Sequence, residues 1–184
     1  MRIQLLEAPP TYDGLQLSTA FFDQHLPGEP AAILLFVSQA DVPSEHMVDL
    51  EDAEAGAGIY SPLMAHVLVE RRDMALREGV LAQRLLSRLA ADWISRRSGV
   101  TVHVQGDDLF VVDGKLSVSV ATRSPRGVLI HLGVNVDIEG APVKAVGLRD
   151  LRVVPEEFLR GVARSFAREL DSVEHAVSKV RSTT

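Results

Sequence analysis

An ammonium, a carboxylate and a row of small polar side chains recur at period two between residues 108 and 135, and period two is the repeat of one strand face. Leu109-Phe110-Val111-Val112 and Lys115-Leu116-Ser117-Val118-Ser119-Val120 flank Asp113-Gly114, a strong signal for a two-residue hairpin turn. Such a turn pairs Val112 with Lys115, Phe110 with Ser117 and Asp108 with Ser119, so Asp108, Lys115, Ser117 and Ser119 share a face. The next run sets Val128, Ile130, Leu132, Val134 and Val136 against Leu129, His131, Gly133, Asn135 and Asp137. An odd-length loop across Ser124-Pro125-Arg126-Gly127 merges the apolar sets and leaves Asp108, Lys115, Ser117, Ser119, His131, Gly133 and Asn135 together. One ammonium beside one carboxylate on a floor of small residues can orient a carboxyl or acyl oxygen, because the floor leaves room and the charges fix direction. The same row also fits a solvated face, since antiparallel sheets commonly show one side to water. Against that, the chain has three Lys to sixteen Arg, and exposed strands favour longer side chains than Ser, Gly and Asn.

Other chemistries find less support. The six histidines (His25, His46, His66, His103, His131, His175) show no metal-ligand spacing, so no metal is expected. Asp41 to Glu54 carries six acids and no Lys or Arg; Asp49, Glu51 and Asp52 could meet a cationic group there, although a solvated loop explains the same charges and the calcium-loop pattern is absent. Phosphate-loop, dinucleotide and G-x-S-x-G signatures are missing.

The elements that must position these residues follow from periodicity. Ala31 to Val37 is an apolar run between proline-containing turns and predicts a strand, and Ala65 to Glu70 predicts another. The acidic stretch between them predicts a long irregular loop. Val80, Leu81, Leu85, Leu89, Trp93 and Ile94 recur at helical spacing from Leu76 to Arg97, with Gly99 as a stop. A second helix opens at Pro155-Glu156-Glu157 and carries Phe158, Val162, Phe166, Leu170, Val173 and Val177. Three or four strands between Val100 and Asp137 complete an α+β order, with a mixed, mostly antiparallel sheet and helices packed on one face.

At 184 residues, 46% hydrophobic and 24% charged, residues 1–184 are expected to form one domain with a sizeable core. A net charge of −6 speaks against nucleic acid or anionic lipid as partners and favours small molecules or proteins. The absence of Cys excludes cysteine nucleophiles, disulfides and thiolate metal sites. No run reaches the roughly 18 apolar residues of a membrane helix and no signal-peptide core is seen, so a cytoplasmic location is expected.

The stretch Gly106-Asp107-Asp108 through Lys115-Leu116-Ser117-Val118 resembles the segment of biotin and lipoate protein ligases that runs Asn-Asp-Leu, strand, turn, Lys-hydrophobic-small-Gly, and Gly133-Val134-Asn135-Val136 resembles their Gly-Ile-Asn strand. About half the chain carries this likeness. Through Met47-Val48-Asp49-Leu50-Glu51-Asp52 and Ala121-Thr122-Arg123-Ser124-Pro125 the whole chain is similar to the domain-of-unknown-function family 366, which has no assigned reaction. The resemblance implies a ligase-like catalytic fold related to class II synthetases. It also implies that Lys115 contacts a carboxyl or acyl group, that Asp108 lies at or beside the ligase aspartate, and that Asn135 lines the cleft. ATP and Mg²⁺ are candidate cofactors on the same ground. Where the ligases carry arginine-rich loops, this chain has the acidic stretch, and carboxylates repel a bare triphosphate unless Mg²⁺ bridges.

Three functions follow as expectations. The first is an enzyme that binds a small carboxylate or acyl compound and activates or transfers it, with Lys115 and Asp108 catalytic and Ser117, Ser119, His131, Gly133 and Asn135 lining the pocket. The second is a binding or assembly module without nucleotide chemistry. The third acts on a cationic substrate through Asp49, Glu51 and Asp52. Uncovered strand edges make a homodimer an expected assembly.

Overall fold

The computed structural model describes residues 1–183 apart from Ala55, Ala57 and Pro142, and leaves out the side chain of Asp52. In chain order the elements are β1 (Arg2–Leu5), α1 (Thr19–His25), β2 (Ala31–Val42), α2 (Leu50–Glu54), β3 (Ile59–Arg71), α3 (Leu76–Ser98), β4 (His103–Gln105), β5 (Asp108–Val111), β6 (Gly114–Lys115), β7 (Ser117–Ser124), β8 (Gly127–Asp137) and α4 (Pro155–Ser178). A five-stranded sheet has the order β1-β2-β3-β8-β7, and β4-β5-β6 form a small second sheet. Only the β1–β2 pair is parallel, so the expected mixed, mostly antiparallel α+β architecture is what the chain adopts. No helix among the described residues is long and apolar enough to cross a membrane.

Side chains one residue apart along a strand point to opposite faces, and the two faces of the large sheet differ. Ile33, Leu35, Val67, Val69, Ile130, Leu132 and Val134 pack with Leu86, Ile94, Phe158, Val162 and Phe166 of α3 and α4 in one buried cluster. The opposite face offers Leu34, Phe36, Leu68 and Leu129 to Tyr12, Leu17 and Phe22, a thinner cover built from α1 and the segment before it.

Both long helices lie where the periodicity predicts. Three expectations are corrected. The acidic stretch is not wholly an irregular loop: β2 runs into its first two residues, pairing Asp41 with Tyr60 and Val42 with Ile59, and Ala40 and Val42 are buried while Asp41 faces out. A 3-10 turn at Ser44–His46 and α2 follow. The hairpin register is also different, with Phe110 opposite Lys115 and Val111 opposite Gly114, so Val112 and Asp113 make the turn. Gly114 is needed elsewhere: a Cβ there would sit 2.5 Å from Cγ2 of Val146, and only glycine lets that segment approach. Finally, Ser124 pairs directly with Gly127, so the β7–β8 turn is even, not odd, and the face of β8 relative to β7 is inverted.

Candidate functional site

The even turn sets the site. Across β7–β8, Val118 faces Gly133 and Val120 faces His131, whereas Ser117 faces Val134 and Ser119 faces Leu132. The serines therefore lie on the helix side, and His131 and Gly133 lie on the thinly covered side. Ser117 is 0% exposed, and its hydroxyl accepts from Leu109 N–H at 2.9 Å. It fastens β5 to β7 and is not part of a ligand pocket. Ser119 donates to the His131 carbonyl at 2.9 Å and accepts from Gln83 at 3.1 Å, and it still reaches the edge of a cavity.

That cavity, of about 200 Å³, has an apolar wall of Tyr12, Leu17, Val42, Met47, Ile59, Val118 and Val120 and a polar side of His46, Asp49, Glu51, Asp107, Asp108, Lys115, Ser119 and His131. Lys115 Nζ lies 2.9 Å from Asp108 Oδ2, with each side chain about one third exposed at 33% and 30%. The lysine backbone is held on both sides: its N–H donates to Lys144 O at 2.9 Å, its carbonyl accepts from Val146 N–H at 3.0 Å, and Asn135 Nδ2 donates to the same carbonyl at 3.3 Å. Asn135 thus supports Lys115 from behind and does not border the cavity. Asp107 accepts from Gln83 at 2.6 Å and pairs with Arg84 at 3.2 Å. Asp49 and Glu51 reach the rim from the acidic stretch, where His46 Nδ1 bonds Asp13 O at 2.9 Å and ties the rim to the N-terminal segment. Asp52 lies on α2 with its side chain outside the described residues.

The inner wall holds residues that the sequence reading passed over. Tyr12 stacks on His131 with centroids 4.2 Å apart, and Phe36 stacks on His66 at 4.6 Å. His66 Nδ1 and His131 Nε2 are 3.1 Å apart. Burial drives the proton off both imidazoles, pulling His131 down to about 3. For His66 the neighbouring His131 adds to the effect, and the Ser38 backbone opposes it. Burial, aided by the Asp13 carboxylate, raises the Tyr12 phenol well above its ordinary value. Gly133 makes room for the stack, since a Cβ there would lie 2.4 Å from Met64 Sδ and 3.1 Å from His131 Cε1. In sequence, His66 is one of two ionisable residues that interrupt the β3 apolar run at even positions, and that was the available signal. Tyr12 gave none. No cluster of three or more potential metal ligands occurs among the described residues.

The model of the domain of unknown function DUF366 matches residues 1–181. The chain belongs to the DUF366 family. An uncharacterized protein of Methanocaldococcus jannaschii is 34% identical over 155 residues, covering 80% of this chain and 70% of that one. Among solved structures, a DUF366 chain such as this superposes on a protein of unknown function from Pyrococcus horikoshi with a TM-score of 0.91 at 30% identity, over 99% and 100% of the two chains. The bi-partite lipoate protein ligase of Thermoplasma acidophilum gives 0.60 at 15% identity over 92% and 83%. The biotin protein ligase of Aquifex aeolicus, in complex with biotin and ATP, gives 0.60 at 12% over 92% and 70%. The last two likenesses establish a biotin/lipoate ligase-like fold for this DUF366 member.

Proposed function

We propose that this protein is a cytoplasmic enzyme that binds a small carboxylate or acyl compound in the cavity beside Lys115 and transfers or activates its acyl group. The observation that carries the reading is the lysine itself: its backbone is bonded from two sides and its ammonium stands beside Asp108 on the polar side of a cavity whose other wall is apolar. A fixed ammonium stabilises the negative charge that develops on an acyl oxygen, and the apolar wall suits a short carbon chain. Fold neighbours solved with biotin and ATP, with lipoic acid and with lipoate support the same ligand class.

A nucleoside triphosphate fits this rim poorly. Asp49, Glu51, Asp107 and Asp108 border the cavity, and no arginine does so among the described residues, so like charge opposes a bare triphosphate there. The same carboxylates favour a second reading, a cationic ligand at Asp49 and Glu51. A homodimer through a sheet edge, β1 or β7, is the assembly this reading carries, and sedimentation velocity tests it.

Thermal-shift titration tests the ligand, because a ligand of the folded state raises the melting temperature. Hexanoate, octanoate, octanoyl-coenzyme A, cadaverine and ATP with Mg²⁺ are the probes, on wild type and Lys115→Ala. Stabilisation by a carboxylate or thioester in wild type alone is the expected result. Equal stabilisation of both proteins by cadaverine, with none by the acids, overturns the proposal and leaves the second reading.

A further inference from the structure

A second concave surface lies on the helix side of the large sheet, where the seam of α3 and α4 meets β1. A hollow of about 530 Å³ has Ile3 and Ala167 as its apolar floor and Trp93, Arg164, Ser165 and Arg168 around it. An adjoining hollow of about 380 Å³ is bordered by Trp93, Arg96, Arg97 and Glu157. Trp93 belongs to both, so the two make one groove along the seam, spanning about 16 Å of α4 between Glu157 and Arg168. The first hollow has no carboxylate among the described residues, and the one carboxylate of the second, Glu157, already accepts from Arg97 at 2.7 Å. Arg96 and Arg97 end α3, where the helix dipole itself favours cations. Arg164 and Arg168 have no such reason. They are exposed one turn apart inside α4, neither has an ion-pair partner among the described residues, and like charges at that spacing repel. Between them and the α3 arginines sits the indole of Trp93, edge-on to Phe158 at 5.7 Å. It lies so close to α4 that a Cβ on Gly161 would sit 2.2 Å from its Nε1. That N–H is neither buried nor hydrogen-bonded among the described residues.

We propose that this groove docks an acidic, extended segment of a partner protein, with its carboxylates on Arg164, Arg168 and Arg96 and an apolar side chain against Trp93 and Ile3. Guanidinium forks match carboxylates two bonds at a time, clusters of arginine are a recurring means of holding acidic motifs, and Trp with Arg dominates the energy of protein interfaces. The length suits the occupant, because about five residues of extended chain cover 16 Å. Single-stranded nucleic acid fits less well: it needs successive aromatic platforms for its bases, and one indole packed against α4 supplies one at most. The surface stands apart from the Lys115 cavity, on the other face of the sheet, and does not depend on the reading of that cavity.

Trp93 is the only tryptophan of the chain, so its fluorescence reads the groove directly. The probe is an acetylated oligoglutamate of about six residues with one leucine at its centre, and the expected result is a saturable change in emission that weakens as salt is raised. Arg164→Gln combined with Arg168→Gln should weaken binding about tenfold or more and leave the melting temperature unchanged, because both side chains are exposed. Arg88→Gln combined with Arg160→Gln removes the same charge from exposed positions of the same two helices outside the groove, and affinity should stay near that of wild type. Equal loss in the two double variants overturns the proposal, since net charge alone then explains the binding. So does equal binding of the glutamine analogue of the peptide, tighter binding of an oligothymidylate of equal charge, or no response to the peptide in fluorescence and isothermal titration alike. Self-association in sedimentation velocity that Arg164→Gln with Arg168→Gln abolishes gives the groove to a second copy of this chain and likewise overturns it.

Discussion

The two faces of the five-stranded sheet are made from alternate residues of the same strands, yet one is a core and the other is a site. On the helix side, Val67, Val69, Ile130, Leu132 and Val134 meet α3 and α4 in a continuous apolar layer. On the opposite side, His66, Glu70 and His131 are buried under a cover made of α1, the segment around Tyr12 and the acidic stretch. The cavity arises where cover is short. Polar side chains there are tolerated because they find one another: His66 with His131, and Glu70 with Arg72 and Arg126 at 3.2 and 3.1 Å.

The largest effect that would sharpen this contrast comes from the helix side. Phe166 is 0% exposed, and Phe166→Ala is expected to cost about 3–5 kcal/mol in urea unfolding while ligand affinity per folded molecule stays unchanged. A loss of affinity at temperatures where the variant is folded would break the separation of the faces.

Next comes pH, which acts on the cavity side. His66 and His131 are held neutral in the folded protein, so below about 6.5 the unfolded chain binds more protons than the folded one. Stability is fully present above that pH and is lost as pH falls towards the folded value of about 3 for His131, at up to about 1.4 kcal/mol per pH unit for each histidine. Unfolding curves between pH 7 and 5.5 read this before most carboxylates titrate. His131→Gln should remove its share of the slope, and an unaltered slope would show that the pair is not the source.

Why part of this was legible in sequence, and part not, follows from how far apart the interacting residues are. α3 and α4 were readable because their apolar residues repeat within each helix. Asp108 and Lys115 were placed together despite a wrong hairpin register, because the observed pairing of Phe110 with Lys115 differs from the expected one by two residues, and a slip of two preserves the face. Ser117 was misplaced because the chain leaves the small sheet at Leu116 and joins the large one, which interrupts the alternation, whereas Ser119 still borders the cavity from its edge. The roles of Tyr12 and His66 depend on contacts with His131, which lies more than a hundred residues from Tyr12 and 65 from His66 along the chain, and β1 depends on a parallel partner in β2. No local pattern encodes those.

Ser117 gives a smaller, more pointed test, because the sequence reading assigned it to the ligand and the structure to the scaffold. Ser117→Ala leaves the buried Leu109 N–H without its acceptor, a loss of about 1–3 kcal/mol. Carboxylate affinity should be unchanged in isothermal titration. A selective loss of affinity at full stability would return the serine to the pocket.

The smallest expected change in stability accompanies the largest expected change in binding, at Lys115. Its ammonium and the Asp108 carboxylate are each about one third exposed, and ion pairs open to solvent contribute about 0–1 kcal/mol. The bonds that hold this stretch of chain in place are made by the backbone of residue 115, which alanine retains. Lys115→Ala should therefore unfold within about 1 kcal/mol of wild type and lose carboxylate binding. Lys115→Arg should keep part of the binding, because it keeps a positive charge at this wall but changes its shape and reach. If instead Lys115→Ala unfolds early and binds as wild type once folded, the cavity side is scaffold at this point like the helix side, and the contrast between the two faces fails where it matters most.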